Sequence, residues 1–127
     1  MISALYAAML ALLLVWLALR VIKVRREKLV RLGDGGEFAL QSAIRAHGNA
    51  AEYIPIALIL LTLLELSGGP AVLVHLGGIA MLAGRILHAK GLLTDSLRFR
   101  ILGMQMTLFT LIGLAVANVI YAALRLV

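Results

Sequence analysis

Residues 44–67 read IRAHGNAAEYIPIALILLTLLELS. The second half of this stretch is apolar all round and reads like the inside of a bilayer. The first half carries Arg45, His47, Asn49 and Glu52 and runs straight into it. Hydrophobic residues make up 63% of the 127-residue chain and the mean hydropathy is +1.06, against roughly 45–50% apolar residues in soluble domains. A soluble fold of this size has too little interior to hide so much apolar surface. The chain therefore reads as an all-α integral membrane protein with a single domain over 1–127.

Working outward, three further apolar segments flank this one. Residues 1–19 contain no charged side chain, close to the ~20 residues that cross the hydrocarbon as a helix. No basic region precedes them and no Ala-x-Ala-like site follows, so a cleaved signal peptide is not expected. Gly33, Asp34, Gly35 and Gly36 break the pattern before the second segment, and Ser67, Gly68, Gly69 and Pro70 end it. The sequence predicts four transmembrane helices over about 2–22, 38–67, 71–91 and 101–125. Pro55 predicts a kink within the second, because it removes a backbone donor. No internal repeat and no linker to a second domain is visible.

Charge sets the expected orientation. Arg20, Lys23, Arg25, Arg26, Lys28 and Arg31 crowd the segment after the first span, and of the twelve Lys and Arg residues only Arg125 falls at the opposite end. By the positive-inside rule both basic loops are cytoplasmic and both termini lie outside. The basic run lacks aromatic interleaving and any nucleic-acid-binding module, so it is read as a headgroup-facing loop, with no nucleic-acid partner.

On a helix, Gln41, Arg45, Asn49 and Glu52 share one face, with Gly48 leaving room beside them, whereas His47 need not share it. Arg85 and His88 stand one turn apart on the third span, and Asp95, Ser96, Arg98 and Arg100 follow at the same level. An ionised side chain at the bilayer centre costs about 2.5–3.5 kcal/mol on insertion scales. These residues must therefore face protein or a water-filled cavity. They form either an ion-pair network that fixes helix register or the lining of a pocket, and one network can do both. Polarity confined to one half of the bundle, without an inverted repeat, does not describe a path across the membrane.

Other polar residues are expected to be structural. Gly77, Ala80 and Gly84, and Gly113 with Ala117, are read as helix-packing surfaces. Glu65 is expected to be an exposed carboxylate, His75 to stand alone near the outer end of the third helix, interfacial or helix-bonded, and Tyr6 and Tyr121 to anchor at the interface. Three scattered histidines and no cysteine predict no metal site, and any thiol chemistry must come from a bound molecule.

The block RAHGNAAEYIP with its LQSAI lead-in resembles the second-helix signature of the MAPEG family, the membrane-associated proteins in eicosanoid and glutathione metabolism. Arg45, Asn49 and Glu52 match its Arg-x-x-x-Asn-x-x-Glu pattern, and Arg85 and His88 match its Arg-x-x-His on the third helix. Length, four spans and the basic first loop extend the resemblance over the whole chain, towards the short bacterial inner-membrane branch. The resemblance implies a homotrimer of four-helix bundles binding glutathione as cosubstrate between subunits on the cytoplasmic side. It implies arginines on the tripeptide's carboxylates, a glutamate on its amino group, a hydrogen-bonding asparagine, and a thiolate-stabilising arginine near the start of helix four. Arg98 or Arg100 occupies that last region. Arg45, Asn49, Glu52, Arg85 and His88 are thus candidate glutathione-binding residues, and Arg98 and Arg100 the candidate catalytic ones. The implied activity is a glutathione transferase or peroxidase acting on hydrophobic small molecules or lipids. Leu92 stands where enzymatic members often carry tyrosine, and Gly48 where many carry a basic residue. These two positions motivate an alternative, a non-catalytic binding or scaffold protein of the same fold.

Overall fold

The computed structural model describes residues 1–126 as four helices: α1 (Ile2–Lys28), α2 (Phe38–Leu66), α3 (Ala71–Leu93) and α4 (Leu97–Leu126). The shortest has 23 residues, about 34 Å at 1.5 Å per residue, so each helix is long enough to cross ~30 Å of hydrocarbon. All four are also apolar enough to do so. The two basic connections lie at one end of the bundle, here called the basic end, and the two termini lie at the other.

Three helices run further than the sequence predicts. α1 continues to Lys28 rather than about residue 22, because Arg, Lys and Glu are good helix formers once the chain has left the apolar run. Lys23 and Glu27 face each other one turn apart at 3.9 Å in this extension. Leu29 then ends the helix in the left-handed conformation, φ 56°, its N–H bonded to the Arg25 carbonyl. α4 begins at Leu97 rather than about 101, since the Ser96 hydroxyl accepts the Phe99 N–H at 3.5 Å as an N-cap. Arg98 and Arg100 consequently sit in the first turn of a helix and not in a loop. α3 also runs on, to Leu93, and α2 stays continuous past Pro55, which lies exposed.

The core is a seam of residues spaced three, four or seven apart along each helix. α2 buries Ala43, Ala46, Ala50, Ile54, Ala57, Leu61 and Leu64, and α1 answers with Tyr6, Leu10, Leu17 and Val24. Lipid offers helices no hydrophobic reason to associate, so contact depends on backbones coming close, which four alanines on α2 allow. α3 and α4 come closest. A Cβ at Gly91 would lie 2.2 Å from the Arg100 nitrogen, and one at Gly103 would lie 2.3 Å from that of His88. The expected small-residue faces divide: Gly77 and Gly84 pack against α4, whereas Gly113 has nothing within 4 Å and borders an open groove. Among the described residues α1 and α4 do not pack on each other, so α2 and α3 form the centre.

The terminal end overturns two expectations and decides a third. Glu65 is not an idle carboxylate: it accepts the backbone N–H groups of Ile2 and Ser3, the latter at 2.9 Å, and the Ser3 hydroxyl. Those amides have no partner within α1, and a carboxylate at a helix N-terminus also faces the positive end of its dipole. Tyr6 is no interface anchor but is buried, 4% exposed, and of the two expectations for His75 the bonded one fits, since its Nδ1 shares a hydrogen bond of 2.8 Å with the Tyr6 hydroxyl on α1. Replacing Glu65 by alanine is expected to fray the first turn of α1. Hydrogen exchange followed by mass spectrometry in detergent should show residues 2–6 exchanging faster, with Glu65→Gln intermediate. Unchanged exchange in Glu65→Ala would remove the capping role.

Candidate functional site

Arg85 is the most deeply buried charged group, 1% exposed at mid-bundle. Its Nη1 donates to Asn49 Oδ1 on α2 at 2.6 Å and its Nε to Thr107 Oγ1 on α4 at 3.0 Å. Nη2 lies 3.9 Å from the Met104 sulfur, and the guanidinium stands 5.6 Å from the centre of the Tyr53 ring, within cation–π range. Thr107 Oγ1 in turn donates to the Gly103 carbonyl at 2.8 Å. One arginine thus ties three helices together through neutral partners. Among the described residues no carboxylate lies within 4 Å of it.

α3 brings Arg85 here because the α3–α4 hairpin is antiparallel and tightly apposed. Residues equidistant from the turn at Asp95 and Ser96 face each other, which sets Gly91 on Arg100, His88 on Gly103 and Gly84 beside Thr107. His88 is buried against that contact, 5% exposed. Thr107, Tyr53 and Met104 escaped the sequence reading. Thr107 had a signal, since it is one of few hydroxyls in a charge-free span and pairs with Arg85 once the hairpin is folded about its turn.

The second layer lies nearer the basic end and is open. Arg45 and Glu52, two turns apart on α2, pair at 3.5 Å with side chains 54% and 57% exposed. Counting ~20 residues back from the end of α2 at Leu66 puts the hydrocarbon boundary near Ala46. Glu52 therefore projects from the bundle at membrane depth. One side of Arg45 borders a cleft of about 250 Å³ that is also lined by Gln41, Ser42, Leu92, Asp95 and Arg100. That is below the ~300–1,000 Å³ usual for a small-molecule pocket. Arg100 faces this cleft and Arg98 does not line it.

Of the seven residues singled out from the sequence, Arg85 and Asn49 are thus bonded to each other, Arg45 and Glu52 are paired on the open face, and Arg45 and Arg100 share a cleft. His88 supports the helix contact, and Arg98 lies apart from the cleft. No group of three or more His, Asp or Glu able to hold a metal occurs among the described residues.

Four spanning helices, a buried arginine–asparagine lock and an open, arginine-rich face at one end define a polytopic membrane protein with a polar site in its basic half. The MAPEG family's sequence model matches residues 3–120. The chain belongs to the MAPEG family. It is similar to the inner membrane protein YecN of Escherichia coli strain K12 and of Escherichia coli O6:H1 strain CFT073, 45% identical over 127 residues in each case. Those alignments cover 100% of this chain and 97% of each relative.

Proposed function

We propose that the protein is an inner-membrane, glutathione-dependent transferase or peroxidase acting on hydrophobic electrophiles, assembled as a homotrimer with its basic loops in the cytoplasm. The observation that carries this reading is the surplus of guanidinium in the basic half. Arg85 is buried without a carboxylate, and Arg45 and Arg100 converge on one cleft with Asp95 as its acid. Glutathione, with two carboxylates and one ammonium, complements three arginines and Glu52. The open Arg45–Glu52 pair supports the trimer, because a second copy would cover charged groups that are costly to leave in lipid. It would also close a cleft that one protomer leaves too small.

In this reading Arg45 and Arg100 bind the anionic ligand, Glu52 takes its ammonium, and Asn49 is oriented by Arg85 for a further hydrogen bond. A guanidinium beside a thiol favours the charged form, so Arg100 holds the sulfur as thiolate while the proton passes to water. The bound thiolate supplies the chemistry: its sulfur forms a bond to an electrophilic carbon and the leaving group departs with the electron pair. With a lipid hydroperoxide, two thiols are instead oxidised to a disulfide as the peroxide is reduced to alcohol and water.

Titration calorimetry in detergent tests the reading. Glutathione should bind the parent, and Arg45→Ala or Arg100→Ala should weaken binding about tenfold or more, the scale of a charged hydrogen bond. Arg98→Ala should alter it less than about threefold, as for an exposed surface charge. A parent protein that binds no glutathione would sink the proposal. The second reading, binding without catalysis, is favoured by one observation: Leu92 puts an apolar wall on the cleft where a phenol would assist the sulfur. Glutathione binding without turnover over a broad electrophile and hydroperoxide panel would select it.

A further inference from the structure

A groove on the opposite side of α3 is unused by the site above. It lies between α1 and α3 at the basic end and encloses about 320 Å³. Leu13, Trp16, Ile86 and Leu93 make its floor, and Arg20 and Lys90 stand at its rim without an acidic neighbour in the lining. Arg20 follows directly on the charge-free residues 1–19, which places it where hydrocarbon gives way to headgroups. Its guanidinium stands 5.9 Å from the centre of the Trp16 ring. Its Nε is buried and has no acceptor among the described residues, an expense that folded proteins ordinarily avoid. Lys90 is likewise free of any carboxylate within 4 Å there, its Nζ resting 4.7 Å from the centre of the Phe99 ring. Two cations, one with an orphaned donor, border an apolar trough that opens to the bilayer.

We propose that this groove binds one anionic phospholipid, the phosphate seated between Arg20 and Lys90 and an acyl chain lying along Leu13, Trp16 and Ile86. The chemistry is complementary at both ends. A phosphate offers acceptor oxygens to the Arg20 guanidinium and to the Lys90 ammonium, and arginine and lysine both bind it well. A zwitterionic lipid has the same phosphate, but its own ammonium opposes the two cations. The cations Lys23, Arg25, Arg26, Lys28 and Arg31, at the end of α1 and just beyond it, attract acidic lipid as a diffuse field; the groove differs in holding one molecule in one place. This inference does not depend on the glutathione reading.

Trp16 is the single tryptophan of the chain and lines the groove, so its fluorescence reports occupancy directly. The protein is reconstituted in phosphatidylcholine vesicles doped with phosphatidylglycerol or phosphatidylcholine brominated on the acyl chain near the glycerol. Half-maximal quenching is expected at a roughly tenfold lower mole fraction of the brominated phosphatidylglycerol, from two cations near the surface. The double variant Arg20→Gln/Lys90→Gln should lose that preference, whereas Lys23→Gln/Arg26→Gln, with the same loss of charge in the neighbouring segment, should keep it. Lys90→Gln alone should shift the preference about halfway on a logarithmic scale, which provides a reading if the double variant does not reconstitute. Superimposable curves for the two lipids on the parent would overturn the proposal. So would a preference that survives in Arg20→Gln/Lys90→Gln, or one lost equally in Lys23→Gln/Arg26→Gln.

Discussion

Arg85→Ala is expected to lower the stability of the bundle by about 3 kcal/mol, the middle of the range for truncating a large buried side chain. Two losses add. A cavity opens among α2, α3 and α4, and Asn49 Oδ1 loses the donor that approached it at 2.6 Å. Thr107 is less affected, because it still donates to the Gly103 carbonyl. In a thermal melt followed by circular dichroism in detergent, the midpoint should fall by roughly 10 °C for a domain of this size. Arg85→Met should cost less, since it keeps most of the volume and removes only the polar contacts. Arg85→Lys should not restore the parent value, because one ammonium cannot reach Asn49 and Thr107 in the fixed geometry of a guanidinium fork. A midpoint for Arg85→Ala within a degree or two of the parent would show that the arginine does not hold the helices together. The methionine variant also separates roles: if it melts near the parent yet binds glutathione poorly, Arg85 serves the ligand as well as the fold.

The second large effect is expected at Gly103. A Cβ there would lie 2.3 Å from the His88 nitrogen and 2.6 Å from the Gly84 carbonyl oxygen. Both are backbone atoms, so no side-chain rotation relieves the clash and α3 and α4 must separate. Gly103→Val is expected to cost about 3 kcal/mol or more, as overpacking does when no neighbour can yield. The separation also draws Thr107 away from Arg85, coupling this position to the lock. Gly113→Ala is the internal control. Nothing lies within 4 Å of its added methyl, so a protomer should gain up to about 1 kcal/mol from the lower chain entropy. Melts of the two variants side by side check the contrast; equal effects would mean that the α3–α4 contact does not limit stability.

Glycine at position 103 gives no sign in the sequence of its importance, whereas Gly113, in an apparent small-xxx-small pair, suggested a packing role it does not have within the chain. The difference is one of register. A small residue matters where a facing backbone arrives, and that is decided by the turn at Asp95 and Ser96 together with the hydrogen-bonded start of α4. Glu65 teaches the same lesson at the other end. A carboxylate near the end of an apolar helix looks solvated until the unpaired amides of α1 are brought against it.

The class of protein, the number of spans, their approximate limits and the face of α2 that carries Arg45, Asn49 and Glu52 are all legible in the linear chain. These are one-dimensional properties: the length of an apolar run against the thickness of a bilayer, and the helical repeat that puts every third or fourth residue on one side. How the polar residues are shared out is fixed by the packing of the helices. It commits Arg85 to Asn49 and Thr107, leaves Arg45 and Glu52 paired on an open face, and turns Arg100 rather than Arg98 towards the cleft. Those choices depend on which residues of different helices arrive at the same depth, and helix-to-helix register is set by close packing that no single segment contains.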